Sequence, residues 1–565
     1  MIPVPERWAA AALAALLVTA APAAAQEARQ IAVAPERAAE LFDFFNRPET
    51  VRMTGASRIA RGTEIVGDVA VLGGPLQLAG RVRGSVVVLN GDAFLEPGAT
   101  VDGDLVVVGG TVTGVDSATV TGRVEVYREP LRYRMQDGLL VAAQPEVEPA
   151  ISTGREFGFG RSDLTIASRR GYNRVEGLPI LLGPRFETLS RNPTRVEAFV
   201  IYRTETGVDV DASDFGYLLR LEQFLGGRRA LRVGATLHSE IVPIESWGLT
   251  DSENALATFL LRRDFRDHYE RVGWSAYLRA APEGGRYDIQ LGYQDERHSS
   301  VGVAAPWTPF GSTPWRPQPH VAEGRLRSVV ARFAYDTRNE GVDPTTGWWI
   351  RAEVERGLGG SLRMPIIVDD SFLRSDDGGV LTEPVETEFA AAFVDLRRYA
   401  RVSPSSTLAL RVVTGTSLND RPLPPQRQRA LGGEGSLPAY RPFQFDCGAR
   451  EAGPMPDGLL AFYGCDRLVL LQLEYRTAFP FGHGWGRKLG SDIDLGERPG
   501  WVVFFDAGRA WTERAALNGR TDGLDGFAAD VGFGLRLGRL GLYWAAPLSG
   551  REDHVNFFIR LGTRL

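Results

Sequence analysis

The chain has 565 residues, enough for more than one domain, and a net charge of −6, which gives no basis for nucleic-acid binding. Hydrophobic residues make up 44% and charged residues 24%. That balance does not exclude a membrane protein, because a barrel places its apolar residues in alternate positions and keeps a low mean hydropathy.

The first 25 residues are expected to be a cleaved secretory signal: Arg7, an Ala/Leu/Val/Thr core from Ala9 to Ala20, then Ala23-Ala24-Ala25 before Gln26. Nothing later has the roughly 18 consecutive apolar residues of a membrane helix. Residues 26–57 form a lead in which Ala38, Leu41, Phe42 and Phe45 predict a short amphipathic helix over Pro35 to Asn46. Residues 58–128 repeat a motif of Gly, a polar residue, a Val-rich run and a corner Gly. Its copies start at Gly67, Gly84, Gly103 and Gly122. A unit of 17 to 19 residues cannot bury its own apolar face and must stack on its neighbours, which predicts a small β-solenoid. The rhythm resembles the bactofilin-type repeat over this stretch and suggests a spacer or oligomerisation module. Residues 129–152, with Pro130, Pro145, Glu146, Glu148 and Pro149, are expected to be a linker.

Residues 153–565 read as successive amphipathic β-strands, about fifteen or sixteen of them. Tyr287, Ile289, Leu291 and Tyr293 alternate with Asp288, Gln290, Gly292 and Gln294. Leu471, Leu473, Tyr475 and Phe479 share one side, and Gln472, Glu474 and Arg476 the other. In the closing segment Val555, Phe557, Ile559, Leu561 and Leu565 are placed on the greasy face, and Asn556, Arg560 and Arg564 on the wet one, with Phe558 as the exception. Aromatic residues near strand ends and charges on one face of strand after strand favour a transmembrane barrel over a sandwich core. The fold class is therefore all-β: a C-terminal transmembrane antiparallel β-barrel of about 16 strands preceded by a small periplasmic β-solenoid.

Cys447 and Cys465 flank a Pro/Gly-rich loop and are expected to form a disulfide staple, two free thiols being the alternative. No catalytic constellation, metal site or cofactor motif is found, and an enzyme is not expected. The six histidines (His238, His268, His298, His320, His483 and His554) are scattered singly and read as loop or girdle residues. Asp209 to Asp214 reads as an acidic turn before it reads as a weak Ca²⁺ site.

Three segments carry a resemblance. Leu431-Gly432-Gly433-Glu434-Gly435-Ser436-Leu437-Pro438-Ala439-Tyr440 resembles the loop motif of BamA/TamA-type outer-membrane barrels, the bacterial surface antigen family. Phe504-Phe505-Asp506-Ala507-Gly508-Arg509-Ala510-Trp511 is similar to that family's late-strand motif. Tyr335-Asp336-Thr337-Arg338 with Pro344-Thr345-Thr346-Gly347-Trp348 is similar to its mid-barrel strand–turn–strand signature. The order of the three matches, and the resemblance covers roughly residues 170 to 565. It implies a sixteen-stranded barrel whose sixth extracellular loop enters the lumen, where a loop Arg pairs with the late-strand acid, here Asp506.

This chain departs from the pattern. Pro438 stands at the expected Arg and Ala439 at the usual Gly, so Arg441 is expected to reach Asp506 instead. The solenoid occupies the place of the family's POTRA modules, and the chain ends in Leu565 where an aromatic is usual. The resemblance implies a role in protein or lipid insertion or translocation at the outer membrane. It acts through the seam between first and last strands and the loop from Gly432 to Arg441. The alternative is a structural or surface-antigen barrel, or a small-solute pore, with a periplasmic oligomerising solenoid. The expected partners are outer-membrane lipid and either periplasmic proteins or further copies of the chain.

Overall fold

In the computed structural model, residues 33–565 are described apart from short stretches, the longest being 143–149, 480–498 and 513–526. The expected signal segment and His483 lie outside the described residues. The chain divides into two compact units, Met1–Ala142 and Ala143–Leu565.

The first unit is a parallel β-solenoid with three faces. Its widest face stacks Val51–Thr54, Val69–Leu72, Val86–Leu89, Leu105–Val108 and Val124–Tyr127. Partners such as Val69↔Val86 and Val86↔Leu105 are one repeat apart. The polar residue of the motif has a structural task at the corner. Asp68 accepts the Ser85 N–H (2.8 Å), and Asp104 accepts the Arg123 N–H (2.7 Å), each one coil on. Corner glycines stack directly: a Cβ on Gly91 would lie 2.0 Å from the Gly74 carbonyl. Val69, Val71, Val86, Val88, Leu105 and Val107 fill the solenoid interior. The other face of those strands (Ala70, Leu72, Val87, Leu89, Val106 and Val108) is covered by Leu41, Phe42 and Phe45 of the Pro35–Asn46 helix. Burial on both faces explains why these strands show no polar alternation.

Two boundaries differ from expectation. The first coil begins at Val51, and the predicted linker contains a hairpin, Tyr133–Gln136 with Leu139–Ala142. Asn46 and Asn90 fasten this region: each side chain exchanges two hydrogen bonds with a backbone, Asn46 with Leu140 and Asn90 with Leu131 (2.7–2.8 Å).

The second unit is one antiparallel sheet of seventeen strands, taken in chain order from Ala150–Phe157 to Asn556–Leu561. The strand beyond sixteen is Ala150–Phe157, which begins inside the predicted linker and pairs with Gly160–Ser168. Tight turns such as Ser403↔Ser406 lie at one end of the sheet. The longer connections (243–268, 300–324, 360–390 and 417–467) lie at the other, the asymmetry of a membrane barrel. Outward positions are apolar and exposed: Leu219, Leu221, Leu237, Leu278, Ile289, Leu291, Phe333, Val354, Phe533 and Ile559 are each 37–54% accessible. Such a surface suits hydrocarbon and not water. Inner positions carry buried charge, and inner groups meet across the interior. Arg560 on the final strand bonds Glu253 (2.7 Å), which lies in a helix, Asp251–Leu261, between two early strands. The sheet is thus barrel-shaped. No described helix is long and apolar enough to cross a membrane.

Two expectations change. Leu565 is not on the outer face: the final strand ends at Leu561, Gly562 adopts φ 107°, and the chain turns inward to bury Leu565 against Tyr399 and Ala409. Phe558, the apolar exception on the wet face, is an inner residue, stacked on Tyr543 at 5.2 Å. Three histidines are not isolated: His238 (3.1 Å) and His298 (3.2 Å) converge on buried Glu296, and His320 meets Asp457 (3.0 Å). Of the acidic turn, Asp211 and Asp214 are described, and the Asp214 carboxylate accepts the Asp211 N–H (2.8 Å).

Candidate functional site

The loop between Ser406–Ser417 and Arg467–Ala478 runs into the barrel. Counted from Gly160–Ser168, these are the eleventh and twelfth strands, so it is the sixth connection at its end of the sheet. Cys447 and Cys465 form the expected disulfide. Near the loop's start, Arg427 bonds Glu355 (2.5 Å), and Gln426 bonds both the N–H and the carbonyl of Ala322 (3.1 Å each). Leu431 and Phe445 pair as a bridge that closes the tip.

The tip is held from several directions, mostly through its backbone. Ser436 donates to the Gly432 carbonyl (3.1 Å) and accepts the Gly432 N–H (2.9 Å), which fixes the turn. Gln472 donates to the Ser436 carbonyl (2.9 Å), and Asn556 donates to the Pro438 carbonyl (2.6 Å). Asp530 accepts the Ala439 N–H (3.1 Å). The Tyr440 hydroxyl reaches the Ala529 (3.0 Å) and Ser549 (2.6 Å) carbonyls. Gly433 donates to the Tyr440 carbonyl (3.1 Å). Two glycines are required by contact. A Cβ on Gly435 would meet the Gly248 Cα of another loop at 2.7 Å, and one on Gly508 would meet the Leu431 side chain at 2.9 Å. The glycine of the late-strand motif is therefore the seat of Leu431. Glu434 is enclosed beside the Arg560–Glu253 pair; burial pushes its carboxyl up to about 7, against the pull of Arg560 and Arg263.

Asp506 does not pair with Arg441, which is exposed on the loop. Its partner is Arg564, through two hydrogen bonds of 2.7 and 2.8 Å. The inward turn at Gly562 delivers that guanidinium, which also lies 3.9 Å over the Phe504 ring and 3.4 Å from Glu474. Asp530 is directly opposite Asp506 in the ladder, and both are fully buried. The demand for a buried cation was legible in the sequence; the residue that meets it was not. Arg564 had been placed on the wet face of a strand that in fact stops three residues earlier.

The mid-barrel motif is a turn at the other end. Arg338 grips Asp336 (3.0 and 2.8 Å), and the Asn339 side chain accepts the Thr345 and Thr346 N–H groups (2.9 and 3.0 Å). At Gly347 (φ 107°) a Cβ would overlap the Thr337 carbonyl. None of these residues touches the loop tip directly. The turn joins it through charge: Asp343 lies 3.6 Å from Arg476, Arg476 lies 3.5 Å from Glu474, and Glu474 meets Arg564. An ionic chain thus runs from the turn to Asp506. Sequence reasoning also missed Asp530, Glu253, Arg560 and the Asp395–Arg411 pair (2.7 Å). Their signal, a charge at an inner position of an amphipathic strand or in a long connection, is shared by too many residues to single them out.

Residues 323–564 match the Omp85 superfamily domain. No curated protein matches the chain. Among solved structures, BamA from Haemophilus ducreyi lacking POTRA domains 1–3 is 15% identical, with 74% of this chain and 75% of that one covered and a TM-score of 0.42. CdiB from Escherichia coli is 12% identical, with 77% and 68% covered and a TM-score of 0.32.

Proposed function

With residues 323–564 forming an Omp85 superfamily domain, we propose that this protein is an outer-membrane barrel that aids insertion or translocation of protein or lipid at its seam. Its solenoid lies on the periplasmic side. The observation that supports this most is the state of the two seam strands. The final strand, Asn556–Leu561, is six residues long and pairs with Leu540–Pro547; among the described residues its other edge has no ladder partner. The Gly160–Ser168 strand carries Ala150–Phe157 on its free edge. An unpaired edge is a template for another strand. The luminal loop is tied to this same final strand through Asn556 and Arg560, so loop and seam are coupled.

The test is a disulfide lock between cysteines introduced in the two edge strands of the sheet, Ala150–Phe157 and Asn556–Leu561, in cells, scored by assembly of other outer-membrane barrels. If the locked protein folds and assembly stops, seam opening is required. If the locked protein supports assembly fully, the proposal fails.

A second reading, a scaffold that self-associates through the solenoid, is supported by the terminal strand Val51–Thr54, whose outer edge has no ladder partner among the described residues. Cross-linking of the full chain through Arg52→Cys tests it: dimers in membranes support it, and monomers alone reject it.

A further inference from the structure

The outer wall carries a basic patch that the seam and the loop do not use. The Trp274 and Tyr293 rings pack at 5.4 Å on the outward face, near the middle of their strands. Just past them the apolar face becomes basic. Arg297 shares the face of exposed Leu291, Arg325 and Arg327 that of Phe333, and Arg356 that of Val354. The ladders set Arg297 opposite Arg325, Asp295 opposite Arg327, and Val329 opposite Arg356, so four guanidiniums cover three adjacent strands. Asp295 takes Arg325 in two hydrogen bonds of 2.7 and 2.5 Å. Among the described residues, Arg297, Arg327 and Arg356 make no ion pair.

The patch continues into a cleft of about 1030 Å³ under the hairpin of Arg363–Pro365 and Thr382–Pro384. Arg363 and Arg374 stand on its lip, and Val272 and Phe372 add apolar lining. Both lip arginines bond neutral groups, the Thr382 hydroxyl and the Gly378 carbonyl (2.7 Å each), and keep their charge uncompensated. Two acids of the lining are engaged. Asp295 is held by Arg325 and Glu296 by Arg271 (3.3 Å), whereas Asp457 meets His320 (3.0 Å), which burial holds toward its neutral form, and Glu323 accepts the Ser300 N–H (3.1 Å), so these two keep their charge.

We propose that this patch and cleft bind the phosphate group of an anionic lipid in the leaflet on the long-connection side, with its acyl chains lying along the apolar band below. Guanidiniums match phosphate oxygens in fork geometry. Charge above and apolar surface below, without a break, favour an amphiphile over a free anion. The inference rests on the membrane-barrel reading and is independent of whether the seam opens.

The test titrates the purified full chain in detergent with phosphatidylglycerol or phosphatidylcholine and counts bound lipid by native mass spectrometry. Combining Arg297→Gln, Arg327→Gln and Arg356→Gln is expected to weaken phosphatidylglycerol binding about a hundredfold, at about fivefold per arginine. Phosphatidylcholine binding should not change. Arg332→Gln, on the inner face of the same strand, should bind as the parent does. Folding is checked by heat-modifiable migration, and Arg297→Gln alone is read if the triple variant does not fold. Undiminished binding by the folded variants overturns the proposal. So does phosphatidylcholine binding as tight as phosphatidylglycerol, or displacement of the lipid by equimolar inorganic phosphate.

Discussion

Removing the Arg564 guanidinium tests the interior electrostatics most sharply. Arg564→Met leaves Asp506 fully buried with no cation in contact, beside buried Asp530 and Glu474. Two unit charges about 4 Å apart at an effective dielectric near 20 attract by roughly 4 kcal/mol. Breaking one side of a buried pair costs about 3–5 kcal/mol, because the remaining charge keeps its desolvation penalty. Asp506→Asn should cost less, since the guanidinium keeps Glu474 at 3.4 Å. The two together should cost less than their sum by about 2–3 kcal/mol. Arg441→Ala, at an exposed position, should change stability by no more than about 0.5 kcal/mol. The assay is urea unfolding of the full chain refolded in detergent, followed by tryptophan fluorescence and heat-modifiable migration. Additive effects of Arg564→Met and Asp506→Asn would refute the pairing, and a large Arg441→Ala effect would restore the loop arginine in its place.

Four further outcomes are expected. Asp530→Asn should be neutral or stabilising by urea unfolding, because an amide oxygen still accepts the Ala439 N–H while the repulsion from Asp506 is lost. Cys447→Ser should cost the loop roughly 3 kcal/mol, the stabilisation typical of a disulfide closing a short loop, and should show as faster proteolysis within 431–465. Gly435→Ala should displace the tip, because its Cβ meets backbone and not a movable side chain; loss of protection at 432–441 in hydrogen exchange is the readout. The Glu434 carboxyl, raised by burial to about 7, retains its proton in the folded loop at pH values where the unfolded chain has lost it. The folded state then binds more protons, so loop stability falls as pH rises from about 4.5 to 7. Proteolysis of the loop between pH 5 and 8 should accelerate accordingly, and Glu434→Gln should flatten the profile.

Most strands were legible because an amphipathic strand advertises its faces every second residue, and the solenoid because its corner polar residues recur at fixed spacing. The missing information was of two kinds. Where the final strand stops depends on the backbone at Gly562, and alternation carried past it put Leu565 on the wrong face. What an inner charge faces depends on curvature of the whole sheet: no local pattern joins Arg560 to Glu253 or His238 and His298 to Glu296. The first solenoid coil was missed for a simpler reason, since Val51-Arg52-Met53-Thr54 lacks the Val-rich signature. Its side chains are mostly exposed, so its sequence is not held to two buried faces.

The two units also differ in when their contacts can form during folding. Solenoid coils meet partners 17 to 19 residues away, as Val69 meets Val86 and Leu105 meets Val124. Each coil can therefore add to the last as soon as it is available. The Arg560–Glu253 link joins residues 307 positions apart, and its loop closure carries a far larger entropic delay. The solenoid is expected to be complete and protease-resistant while the barrel interior is still open. A pulse-labelling experiment should find its amides protected first and those of the final strand last.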